Sequence, residues 1–92
     1  MNDDMAKLIA HKQINLLKNM LKEKEITLKV SRNIIPTITK KVEKPEFGGR
    51  EIIRIVEKEI KPLFSKPIVF GELKKGDSCY LDFKNDEFCI KY

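Results

Sequence analysis

Residues 78–83 and 87–92 alternate apolar and polar side chains on either side of Asn85-Asp86, a pattern that reads as a β-hairpin. Both central residues tolerate the positive φ that a two-residue turn demands. With that turn, Phe83 faces Phe88, Leu81 faces Ile90 and Cys79 faces Tyr92, so every apolar partner falls on one face. The same register puts Cys89 opposite Asp82 on the other face, and a Cys79–Cys89 bridge would need a different pairing. Free thiols and a reducing compartment are expected.

The chain has 92 residues, so everything else must share one core with the hairpin. The opening reads as a long amphipathic helix: Asn2 can cap it, and Asp3 and Asp4 suit the positive end of its dipole. Its apolar stripe, Met5, Leu8, Ile9, Leu16, Leu17, Met20 and Leu21, is expected to face the core and to stop near Glu23 or Lys24. Ile26, Leu28 and Val30 then alternate as a half-buried strand over 26–30. Ser31 is placed to cap a second helix, about 32–43, carrying Ile34, Ile35, Ile38 and Val42; Pro36 predicts a late start or an irregular first turn. Residues 44–49 read as a loop. A third helix begins near Arg50 or Glu51 with Ile52, Ile53, Val56 and Ile60 inward. Pro62 and Pro67 divide the next stretch of chain, and a short fourth helix over 63–70 closes at Gly71. The expected class is α+β, with three to four helices on a small sheet of strand 26–30 plus hairpin 78–92.

Composition excludes several functions. No apolar run approaches the ~20 residues that cross a bilayer, and no signal-peptide pattern opens the chain, so a soluble, cytoplasmic protein without a membrane partner is expected. The net charge is +5, but only Arg32, Arg50 and Arg54 are arginine and the 16 lysines are scattered among 14 acids. Duplex binders concentrate charge on one face and use arginine forks, so no nucleic-acid partner is expected. With His11 as the only histidine, there is no zinc-ligand spacing and only one imidazole base for a nucleophile. Paired acids such as Glu57 and Glu59 point apart on a helix. No Gly-x-x-x-x-Gly-Lys-Ser/Thr loop is present, so this chain alone is not expected to bind ATP well or to act as an enzyme.

One constellation stands out: Phe47-Gly48-Gly49-Arg50 at the entrance of an amphipathic helix. Glycines let backbone approach another molecule, a helix N-terminus offers unpaired amides, and Arg50 adds a fixed cation, a combination suited to an anion. The same residues also fit a chain that simply turns and a solvated first-turn arginine.

The order of elements resembles the small C-terminal subdomain of the second ATPase module in Clp-type AAA+ unfoldases. Four motifs carry the likeness along nearly the whole chain. The strand and cap are Ile26-Thr27-Leu28-Lys29-Val30-Ser31, and the hallmark Pro-x-Tyr/Phe-Gly-Ala/Gly-Arg is Pro45-Glu46-Phe47-Gly48-Gly49-Arg50. A Leu-Leu-Phe-Gly-like element is Ile68-Val69-Phe70-Gly71, and the Gly-Asp entering the terminal hairpin is Gly76-Asp77. Departures are Glu51 where a proline is common, the loss of a Gly-Tyr near Val42-Glu43, and Pro36 and Pro67 within helices.

The resemblance implies a lid and assembly domain, residues 1–92, excised from a larger ATP-driven protein unfoldase, with Asn2 where the family's first small-domain helix begins. It implies that Arg50 is the sensor-2 arginine, reaching the γ-phosphate of ATP held by the large subdomain, and that Phe47, Gly48 and Gly49 form the loop that aims it. Arg54 would support the nucleotide pocket or a subunit contact; an exposed residue among the helix's acids is the competing reading. ATP with Mg2+ belongs to the parent, with none expected on this chain. Partners would be the large subdomain, neighbouring subunits of a hexameric ring, and, through the parent, protein substrates and a Clp peptidase. The alternative is a freestanding basic α/β RNA-binding module, which would need Phe83 and Phe88 exposed beside lysines. A third class, an adaptor using exposed apolar edges, would show a large apolar patch; the lid reading implies a moderate one.

Overall fold

The computed structural model of the chain describes residues 3–42 and 48–92. The expected cap Asn2 and Phe47 lie outside the described residues, whereas the second helix, expected to run to about residue 43, stops at Lys40 with Lys41 as its C-cap. The hairpin forms in the expected register: β2 (Ser78–Lys84) pairs antiparallel with β3 (Glu87–Lys91), matching Phe83 with Phe88, Leu81 with Ile90 and Asp82 with Cys89. Asn85 and Asp86 both adopt positive φ, 52° and 63°, so the turn twists with its strands. β1 (Thr27–Val30) joins β2 in parallel, aligning Leu28 with Cys79 and Val30 with Leu81. The sheet order is β1-β2-β3, and a parallel pair needs a crossover, which the helices supply. The fold is α+β, as expected.

α1 (Asp3–Glu23) has the expected length and turns Leu17 and Leu21 of the expected stripe inward, with Ile9 and Met20 packed against the core, but the rest of its inward face differs. Ala6, Ala10, Ile14, Leu17 and Leu21 are buried, whereas Met5, Leu8 and Leu16 are 52%, 68% and 51% exposed. The inward residues recur every three or four positions, and two of them are alanines too small to mark the stripe by hydrophobicity. α2 (Ile34–Lys40) starts late, as Pro36 requires: Pro36 becomes its third residue, where an N–H would have had no helical acceptor. Asn33, not Ser31, precedes its first residue, and the Ser31 hydroxyl accepts from the Asn33 N–H at 3.4 Å.

The prolines after residue 60 do not divide the chain. α3 (Gly48–Ile55), a π-helical turn (Val56–Ile60) and α4 (Lys61–Val69) follow one another without a break. Ile52, Val56, Ile60 and Phe64 are all buried, four residues apart. On a regular α-helix each such step drifts about 40°, which would carry Phe64 off the core face. The wider turn, closed by the Lys61 N–H on the Val56 carbonyl, cancels that drift and holds Pro62 at the start of α4. Ile53, expected inward, is 43% exposed and Ile55 takes its place in the core. α4 runs through Pro67 and ends at Gly71 (φ 76°): Glu72 N–H bonds the Pro67 carbonyl at 2.8 Å and Gly71 N–H the Ile68 carbonyl at 3.2 Å, a Schellman stop.

Candidate functional site

The singled-out residues sit where α3 begins. Gly48 and Gly49 are its first helical residues rather than the end of a loop, which corrects the expected start at Arg50 or Glu51. Gly49 lies against α1: a Cβ there would meet Ile9 Cδ1 at 3.5 Å, an ordinary contact. The backbone therefore does not need glycine at this position, in keeping with the Ala/Gly alternation of the motif it resembles. Arg50 follows in the first turn, where helix amides lack intrahelical acceptors and the dipole is positive. Its side chain is exposed and makes no ion pair with any described residue.

Arg54 is exposed one turn on and lines a groove of about 680 Å³ between α2 and α3 that Arg50 does not line. Lys40, Lys41, Lys58, Glu51 and Glu59 share the groove. Lys41 pairs with Glu59 at 3.6 Å, and its ammonium lies 5.8 Å from the centroids of the Phe83 and Phe88 rings. One lysine thus ties α2, the π turn and the hairpin together. Sequence reasoning passed over Lys41; its signal was the doubled lysine ending a helix, where cations complement the dipole. Chemically the arrangement is cationic and anion-attracting. Among the described residues it holds no nucleophile with a base.

Phe88 is buried and Phe83 half-buried, and their rings meet edge-on at 5.0 Å and 67°, so they offer no stacking platform. Tyr92, expected inside, is 57% exposed and its hydroxyl donates to Glu72 Oε2 at 2.6 Å, which raises its pKa. Both cysteines carry free thiols; Cys79 is buried, its Sγ donates to the Thr27 carbonyl at 3.7 Å, and burial pushes its pKa up. No described helix is long and apolar enough to cross a membrane.

Known proteins share this pattern. The chain is 28% identical over 87 residues to the chaperone protein ClpB of Malacoplasma penetrans, covering 95% of this chain and 12% of that protein. It is 28% identical over 78 residues to the chaperone protein ClpB 2 of a Nostoc species, covering 85% and 9%. The ATP-dependent Clp protease ATP-binding subunit ClpC of Staphylococcus saprophyticus is also 28% identical, over 88 residues covering 96% and 11%. The chain thus spans about a tenth of the length of the curated relatives it matches. A family model for the C-terminal, D2-small domain of ClpB protein matches residues 1–81. Fold, motif order and this match agree, and the chain belongs to the ClpB D2-small domain family of the Clp AAA+ ATPases.

Proposed function

We propose that this domain is the lid of a Clp-type AAA+ ATPase and that Arg50 is its nucleotide-sensing arginine. The observation that carries the reading is an exposed guanidinium, unpaired among the described residues, on the first turn of α3 and at the arginine position of the Phe-Gly-Gly-Arg motif. A guanidinium and a helix N-terminus suit the γ-phosphate of a triphosphate. ATP and Mg2+, when held by the phosphate loop of a large subdomain, supply that charge. Arg50 binds it, and its loss on hydrolysis releases the arginine and lets the lid rotate as a rigid body. The rigid body is one core on which α1, α3 and the sheet all converge. Large subdomain, ring neighbours, protein substrates and a peptidase are partners of the parent in this reading, and the domain is inactive alone. The relatives' names, a chaperone and a protease subunit, leave both fates of the substrate within the proposal.

In a parent carrying both subdomains, Arg50→Ala is expected to leave ring formation intact and lower ATP hydrolysis on the order of 10²-fold, as loss of one charge-stabilising contact does. Unchanged hydrolysis would refute the assignment. The isolated domain is expected to show no ATP affinity tighter than about millimolar by calorimetry, one lone lid arginine being its whole phosphate site.

A further inference from the structure

Across α1 from the Gly49 contact lies a second groove, of about 450 Å³, between α1 and the turn joining β1 to α2. Lys7, His11 and Lys18 line it from α1 and Arg32 from the turn. At spacings of four and seven residues the three α1 groups share one flank, whereas Ile9, which meets Gly49, is on another. Among the described residues no carboxylate lines this groove, and none of Lys7, Lys18 and Arg32 forms an ion pair with a described residue. Elsewhere Lys41, Lys61, Lys75 and Lys84 each meet an acid. The floor is aliphatic: Ile14, Val30, Ile35 and Pro36, with Asn15 and Ser31 adding polar groups.

We propose that this groove binds an acidic peptide segment that seats an aliphatic side chain between its carboxylates. The unneutralised cations select a polyanion, and both opposed walls contribute them. The aliphatic floor then asks for an apolar group in the middle of that anion, which a peptide has and a sugar-phosphate backbone lacks. Among the described residues no aromatic side chain lines the groove, so bases have nothing there on which to stack. The volume is within the range of small-ligand clefts, enough for a few side chains. Because the site lies on a different flank of α1 from Gly49, it stands independently of the role assigned to Arg50.

The test uses the 92-residue chain, labelled with nitrogen-15, and a blocked hexapeptide of alternating glutamate and leucine as probe. Amide shifts are expected to centre on Lys7, His11, Lys18, Ser31 and Arg32, and to weaken with added salt. Replacing the peptide's leucines by serine is expected to weaken binding severalfold, and Lys18→Glu with Arg32→Glu about tenfold, each lost surface pair being worth up to ~1 kcal/mol. The milder Lys18→Gln with Arg32→Gln, which leaves the exposed surface uncharged rather than reversed, should lose about threefold by the same measure. Lys24→Glu with Lys91→Glu, of equal net charge but outside the groove, should keep the affinity within about twofold. Shifts centred elsewhere, equal losses in both charge-reversed variants, or an oligothymidylate that binds the groove more tightly than the peptide would each overturn the proposal.

Discussion

The hairpin of β2 and β3 and the helical run from Gly48 to Val69 bury residues at regular intervals, but only one of them obeys its local period. In the hairpin the two-residue alternation, the Asn85-Asp86 turn and the pairing of Phe83 with Phe88 all call for the same backbone. In the helical run Ile52, Val56, Ile60 and Phe64 recur every four positions, with Ile55 and Pro67 buried beside them, and that four-residue row is one a regular α-helix cannot hold on one face. Tertiary packing prevails there by opening a π turn at Val56–Ile60. The hairpin is thus specified by neighbours along its own strands and the helical run by the core it must cover.

The contrast is tested most severely by removing what the π turn delivers. Phe64 is fully buried just after that turn. Phe64→Ala is expected to cost about 3–5 kcal/mol in urea unfolding, a large share of the stability of a domain this size. Leu81→Ala, in the equally buried centre of the hairpin, should cost about 2–5 kcal/mol. If the contrast is right, the first variant also loses the π turn, visible as the return of α-helical carbon shifts at Val56–Ile60, while the second leaves those shifts in place. A Phe64→Ala protein with an unchanged π signature would mean that Pro62 alone imposes the turn.

Legibility in the sequence followed the same line. Pairing within the hairpin was readable to the residue because turn chemistry fixes its register, whereas the parallel pairing of β1 with β2 joins residues about 50 positions apart and was not. α1 was readable as a helix but only partly in orientation: Leu17 and Leu21 face inward as expected, whereas Ala6 and Ala10 complete the inward face and large Met5, Leu8 and Leu16 point outward. Hydrophobic size misleads where close helix packing favours alanine. The four-residue spacing of Ile52, Val56, Ile60 and Phe64 was visible, and set beside 3.6 residues per turn it would have announced the wide turn. Arg50 was legible as part of a motif. Its groove neighbour Lys41 and the cationic groove around Lys7 and Arg32 were not, because each brings together residues that only the fold makes adjacent.

Two small substitutions probe the same contrast by exchanging what each region asks of its backbone. Asp86 holds φ at 63° in the turn, where glycine is at ease, and Gly49 is helical with room for a Cβ against Ile9. Asp86→Gly and Gly49→Ala are both expected to raise the urea midpoint, each by the equivalent of about 0.5–1 kcal/mol, for opposite reasons. The reverse preference at either site, a loss on introducing alanine at 49 or glycine at 86, would show that local backbone propensity is not what separates the regions.

The weakest effect lies in acid. On the hairpin's outer face Asp82 Oδ1 accepts the Phe83 N–H at 2.8 Å, and Lys84 stands 3.6 Å from its other oxygen. Beside it the Asn33 side-chain amide donates to the Phe83 carbonyl at 3.2 Å, tying the turn after β1 to β2. The backbone N–H first, outweighing partial desolvation, holds the Asp82 carboxyl below its ordinary value. A carboxyl with a depressed folded pKa contributes stability above its unfolded pKa, about 3.9, and loses it as pH falls through the lower folded value. In the helical run the exposed pair of Lys61 with Glu57 at 3.4 Å contributes little. Urea midpoints measured between pH 6 and pH 2 should therefore fall more steeply below about pH 4 in the natural chain than in Asp82→Asn, whereas Glu57→Gln should track the natural chain. Parallel curves for the natural chain and Asp82→Asn would place the acid sensitivity elsewhere and leave the hairpin, like the helical run, without a charged fastening that matters.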